Sequence, residues 1–144
     1  MTSSSRIFST LEGSWRISRT ISGYGAVIGT AVFTKKEESE LHYREEGDWM
    51  TTLGTVHRVY REYIYRQALD GEIGVYFADQ PMKLLHPLQF DASNEATGEH
   101  VCNKDSYQAK YVFVDDDCFT LAYIVKGPEK DYTIYTEFTR STRE

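Results

Sequence analysis

A succession of short strand-like runs, separated by tight turn signals, limits the folds open to this chain more than any other feature. Runs at 14–22, 26–34, 40–47 and 55–66 are followed by others at 72–78, 82–90, 106–114, 118–126 and 131–139, with Gly, Ser or charged residues between them. The stretch 99–102 reads as an extension of the run that begins at Ser106. Asp70-Gly71 and Gly127-Pro128 are strong turn signals, and Asp115-Asp116-Asp117 is a weaker one. Short linkers of this kind join antiparallel neighbours in a meander. An open sheet of about nine such strands leaves two unpaired edges, and closing the sheet removes them. The expected fold is therefore all-β: one antiparallel up-and-down β-barrel domain over residues 1–144, with a two-sheet sandwich as the alternative. Ser3-Ser4-Ser5, then Ile7, Phe8 and Leu11, then Gly13, add a short capped amphipathic helix at the amino terminus.

Tyrosine contributes 11 residues to an aromatic fraction of 14%. Its ring favours strands and its hydroxyl tolerates a partly polar interior. The net charge of −6, with basic residues interleaved among acids as in Tyr43-Arg44-Glu45-Glu46, supplies no basic stripe for nucleic acid or anionic lipid. No apolar run is long enough to span a bilayer as a helix, and residues 1–6 lack the apolar core of a secretory signal. A cytoplasmic location is the resulting expectation. Cys102 and Cys118 fall toward opposite ends of the expected hairpin, far beyond the ~7 Å reach of a disulfide, so both read as reduced thiols.

Strand alternation assigns faces. Trp15, Ile17, Arg19 and Ile21 share one face of the first run. Phe119, Leu121, Tyr123 and Val125 share a face near the end of the chain, as do Tyr132, Ile134, Thr136, Phe138 and Arg140. These faces should point inward. The third and fourth runs are mixed on both sides: Leu41, Tyr43, Glu45 and Gly47 oppose His42, Arg44 and Glu46, while Val59, Arg61, Tyr63 and Tyr65 oppose Tyr60, Glu62 and Ile64.

Gly13-Ser14-Trp15 opens the first strand, and Arg140 ends the last. This pattern resembles the lipocalin-like (calycin) barrels, in which such a tryptophan stacks on an arginine of the final strand. First and last strands are neighbours in a closed barrel, so a guanidinium can lie on the indole face. Gly13, Trp15 and Arg140 are thus the expected structural signature. Phe8, Leu11 and Arg19 continue the likeness, with Tyr43, Glu45 and Gly47 and the run Leu85-His86-Pro87-Leu88. His100-x-Cys102-x-x-Asp105-x-Tyr107 and Val125-x-Gly127-Pro128-x-Lys130-Asp131-Tyr132 complete it. Together these positions resemble a small family of calycin-like domains known as a domain of unknown function. The chain departs from it at Leu85, where members often carry Phe. The resemblance implies the barrel and no activity.

The candidate functional residues are polar groups on inward faces. A buried charge is costly unless paired, so Arg19 and Glu45 read either as an anchor for a ligand's polar group or as a structural ion pair. His100, Asp105 and Tyr107 combine an imidazole, a carboxylate and a phenol that can move a proton or stabilise an oxyanion, or can merely satisfy turn amides. His86 is held by Pro87 in extended backbone, as a cavity group or as a core histidine. Tyr43, Arg61, Tyr63, Tyr123 and Tyr132 extend the ligand-facing set, whose tyrosines serve core packing equally well. Lys126 and Lys130 flank the Gly127-Pro128 turn as a cationic rim or a solvated hairpin. His57, His86 and His100 have no metal-ligand spacing, and no nucleophile motif or dinucleotide loop is present. A haem site of the nitrobindin type is disfavoured because its glycine-rich opening is missing from 15–25. No metal or cofactor is expected.

The leading expectation is a cavity that binds one small, hydrophobic or amphipathic molecule through a polar group read by Arg19, Tyr43, Glu45 and His100. Two alternatives stay open: a cofactor-free isomerase, cyclase or dehydratase using Glu45 or His100 as acid or base, and a noncatalytic protein-interaction module working through strand edges. Nucleic-acid and membrane partners are not expected, and the oligomeric state is left open.

Overall fold

In the computed structural model, which describes residues 3–79 and 81–141, the chain forms one helix and ten antiparallel strands. The helix α1 (Ser3–Leu11) leads into β1 (Gly13–Ile21), β2 (Gly25–Glu37), β3 (Glu40–Met50), β4 (Val56–Gln67) and β5 (Ile73–Phe77). These are followed by β6 (Leu84–Ala92), β7 (Glu95–Cys102), β8 (Asp105–Asp115), β9 (Cys118–Lys126) and β10 (Asp131–Arg140). Every strand pairs with its neighbours in sequence, and β1 closes the cylinder on β10 through the register Trp15 to Arg140, Arg19 to Thr136 and Ile21 to Ile134. Closure gives every strand two neighbours, although β4 pairs with the short β5 only from Tyr63 to Gln67. Among the described residues, no helix is long and apolar enough to cross a membrane.

The expected count of about nine strands is corrected to ten. Residues 99–102 do not extend the run that begins at Ser106; they end β7, which pairs antiparallel with β8 from Cys102 opposite Asp105 to Glu95 opposite Val112. The reversal is a two-residue turn whose Asn103 has φ 57°, a left-handed conformation that asparagine tolerates better than most residues. The two cysteines are free and lie at opposite ends of the cylinder, Cys102 by this turn and Cys118 opposite Asp115.

Because the strands alternate direction, the turns at 22–24, 51–55, 103–104 and 127–130 gather at one end, here the mouth. The opposite end is plugged by α1, whose Ile7, Phe8 and Leu11 are buried against the barrel core. Above them Trp15, Phe113, Phe119 and Phe138 fill the cylinder, Phe119 stacking on Phe138 at 4.2 Å and meeting Trp15 edge-on at 4.8 Å. Arg140 carries its guanidinium 4.2 Å from the Trp15 ring centroid, as the sequence signature requires. The same guanidinium donates to the carbonyls of Thr10, Glu12 and Asp116 and to the Asp117 carboxylate, while the Trp15 indole donates to Leu11 O. The last two carbonyls of α1, Thr10 and Leu11, are thereby satisfied. Gly13 has φ 123°, and a Cβ there would sit 3.0 Å from Arg140 Nη1, so glycine answers both demands at this corner.

Candidate ligand cavity at the mouth of the barrel

Midway up the cylinder lies a sealed polar layer. Arg19 of β1 and Glu45 of β3 face each other across β2, at 4% and 3% exposure. Two parallel hydrogen bonds join them, Nη1 to Oε2 at 2.6 Å and Nη2 to Oε1 at 2.8 Å. Arg19 Nε donates to Thr136 Oγ1 at 2.8 Å, and the Tyr43 hydroxyl donates to Glu45 Oε1 at 2.5 Å. Burial would push the guanidinium down and the carboxyl up, but the mutual hydrogen bonds outweigh it. Arg19 stands above its ordinary pKa and Glu45 below, so both remain charged. Gly29 of β2 lets the β3 backbone approach closely between the two; a Cβ there would lie 2.1 Å from Glu46 O.

A second polar string runs beside it. His86 of β6 is fully buried, with Nδ1 3.1 Å from Pro87 O and Nε2 2.9 Å from the Tyr123 hydroxyl. The carbonyl fixes the proton on Nδ1, so Nε2 accepts from the phenol. Burial holds the His86 imidazole below its ordinary pKa. Gly98 of β7 gives this ring its space: a Cβ would come within 2.4 Å of Nδ1. Tyr65 and Tyr111 share a hydrogen bond at 2.8 Å, and burial raises both phenols, as it does Tyr123.

Above these layers the barrel opens into a cavity of about 320 Å³. Tyr63, Phe77, Leu85, Tyr132 and Ile134 supply its apolar walls, and Arg61, His100, Cys102, Tyr107 and Tyr123 complete the lining. The His100 ring lies between Phe77 and Tyr107, at 5.9 Å from each. Tyr107 accepts from Lys130 at 2.9 Å, and Lys130 also pairs with Asp105 at 3.0 Å on the rim. Lys126 pairs with Asp131 and takes no part in the lining. Between mouth and polar layer there remains only a pocket of about 20 Å³, scarcely more than one water.

The expected site residues therefore divide. Arg61, Tyr63, His100, Tyr107, Tyr123 and Tyr132 come together at the mouth. Arg19, Tyr43 and Glu45 do not join them: the structure places them in the sealed layer, with their hydrogen-bonding capacity spent on one another. His86 backs Tyr123 from the core, and Asp105 holds the rim lysine. Glu45 and His100, the expected acid–base candidates, line different cavities. Arg140 lies at the plugged end, away from the mouth. Phe77, Leu85, Cys102 and Ile134 were not expected at the site. Ile134 was legible from its alternation with Tyr132, whereas Leu85 faces inward beside His86 because the β5–β6 register shifts between Val75 and Tyr76.

Residues 11–140 match a family described as "Family of unknown function (DUF6314)". The chain belongs to this family. A search of the curated proteins returns no match. Among solved structures, this DUF6314 member is similar to the S-type phycobiliprotein lyase CPES from Guillardia theta, with TM-score 0.71 at 11% identity over 97% of this chain and 93% of that one. It is also similar to two designed proteins. One is a fluorescence-activating β-barrel designed de novo, with TM-score 0.53 at 13% identity over 98% and 100% of the two chains. The other is the redesigned barrel mFAP0 bound to DFHBI, with TM-score 0.52 at 11% identity over 91% and 99%. At such identities the likeness establishes the fold of the DUF6314 domain, a lipocalin-like barrel.

Proposed function

We propose that the chain binds one small, largely apolar molecule bearing a polar group, seated in the mouth cavity. The observation that carries this reading is the asymmetry of the cylinder: one end is plugged by α1 and packed with aromatic rings, and the other opens onto about 320 Å³ of aromatic-walled space. That volume lies at the lower end of small-molecule sites, which combine apolar walls with a few convergent polar groups. The redesigned barrel mFAP0, which shares this fold, is bound to the small molecule DFHBI, and this supports the use of the cavity. A proton-transfer role for Glu45 gains no support, because a carboxylate locked to a guanidinium and held below its ordinary pKa makes a poor base.

Native mass spectrometry of the freshly purified chain tests the reading. A bound small molecule retained under gentle ionisation is expected, and Ile134→Trp, which fills the mouth, should abolish it while the fold persists by circular dichroism. A ligand that stays bound to the filled variant would place the site elsewhere and end the reading.

A further inference from the structure

Among the described residues, Arg61 is the one charged side chain that lines the mouth cavity. Arg6, Arg19, Arg44, Arg58, Arg66 and Arg140 each hold a carboxylate. Arg61 faces inward from β4 into the cavity and, among the described residues, has no hydrogen-bond or ion-pair partner. Its cross-strand neighbour Glu45 has its oxygens taken by Arg19 and Tyr43, and Glu62 and Asp79 lie with Arg61 on the outer side of the mouth without bonding it. His100, Tyr63 and Tyr132 also line the cavity without a hydrogen-bond partner among the described residues, and each can donate. No carboxylate of the described residues lines it, although the chain carries 22 acidic residues against 16 lysines and arginines. A half-buried guanidinium among aromatic rings, whose cross-strand neighbour Glu45 is already bonded to Arg19 and Tyr43, keeps its donors free to meet an anion.

We infer that the mouth takes a monocarboxylate on a flat apolar ring system, its carboxylate held by Arg61 and its ring between the tyrosine and phenylalanine walls. The inference rests on the ligand-cavity reading above and names its chemistry. The planar fork of one arginine matches the two oxygens of a carboxylate, and one uncompensated positive charge suits a monoanion better than a phosphate dianion. Tyr63, Phe77, Tyr107 and Tyr132 offer ring faces and edges to a planar ligand.

Calorimetric titration with matched carboxylate and carboxamide pairs, built on benzene, naphthalene and biphenyl, tests it. The two members of a pair share shape and differ in charge. For the ring that fits, the carboxylate is expected to bind about tenfold or more tightly than the carboxamide, the size of a charge-assisted hydrogen bond in a partly desolvated site. Arg61→Gln should erase that preference and leave carboxamide binding in place, while Arg61→Lys should keep part of it. Equal affinity of the two members in the unaltered protein, or a preference that survives Arg61→Gln, would overturn the inference and leave the ligand-cavity reading standing. Should no member of the series bind, the inference falls, and native mass spectrometry of the purified chain decides the ligand-cavity reading by itself. Should Arg61→Gln fail to fold, the preference measured in the unaltered protein decides.

Discussion

Two buried ionisable systems, Arg19–Glu45 and His86, respond to acid in different windows. The His86 imidazole is held below its ordinary 6.5 by burial, so the unfolded chain takes up a proton before the folded one. Stability from this source is complete above about pH 6.5 and drains away as pH falls below it. Glu45 is likewise held below its ordinary 4.5 once the hydrogen bonds from Arg19 outweigh desolvation, and its contribution is lost as pH falls below that value. In both windows the unfolded state binds more protons, so the sign is the same: acid destabilises. A melting series from pH 7.5 to 3 should show a first decline beginning near 6.5 and a second below 4.5. His86→Gln, which keeps polar atoms near the Tyr123 hydroxyl, should flatten the first decline and leave the second intact. An unchanged slope between pH 6.5 and 5 in that variant would show that His86 does not titrate on unfolding.

Among the elements, α1 is joined to the barrel by its buried Ile7, Phe8 and Leu11 and by a set of polar contacts at its end. Arg140 is its rivet: one guanidinium stacks on Trp15, takes the Thr10 and Glu12 carbonyls and grips the β8–β9 turn. Arg140→Lys keeps the charge but loses the stack and the fork. It should cost about 1–3 kcal/mol, the scale of buried polar groups left without partners. Amide exchange should quicken in α1 and the start of β1 first, since elements open locally before the whole unfolds. Uniform acceleration across all strands would show that the helix and barrel open as one unit. The Trp15–Arg140 stack was legible through the resemblance to calycin barrels, whereas the carbonyls that Arg140 gathers were not. Nor was the strand β7. Its inward positions are Ala96, Gly98, His100 and Cys102, small or polar where a strand signal needs bulk, and Gly98 is small because the His86 ring occupies the space beside it. The faces of β3 and β4 were ambiguous for a related reason. Each carries charge on both sides, and only the pairing of Glu45 with Arg19 across β2 shows which charges are inside. Tyr123 and Tyr132 followed from alternation, whereas Arg61 and Tyr63 shared the ambiguity of β4. That Arg19, Tyr43 and Glu45 would be sealed beneath them depended on how completely they satisfy one another, which spacing along the chain does not reveal.

At the scale of the whole molecule, a ten-strand cylinder is wider than the eight-strand one that ordinary side chains just fill. This chain fills the extra width with rings below and a polar layer in the middle, and leaves the top open. Stability and binding should therefore separate by height. Phe119, buried at 2% exposure and in contact with Trp15, Phe113 and Phe138, belongs to the lower layer. Its replacement by alanine opens a void that surrounding rings cannot close, at about 3–5 kcal/mol. Tyr132, half-exposed at the mouth and touching Tyr24 edge-on at 5.3 Å, has little packing to lose. Tyr132→Ala should cost about 1 kcal/mol or less, within the range of substitutions away from the core. Urea unfolding of the two variants, read beside titration with the carboxylate series, checks the separation. Phe119→Ala is expected to lower the midpoint sharply and to bind normally where still folded. Tyr132→Ala should keep the midpoint and lose affinity. If Tyr132→Ala proves as destabilising as Phe119→Ala, the mouth is part of the core and the cavity above the polar layer is not free to be occupied.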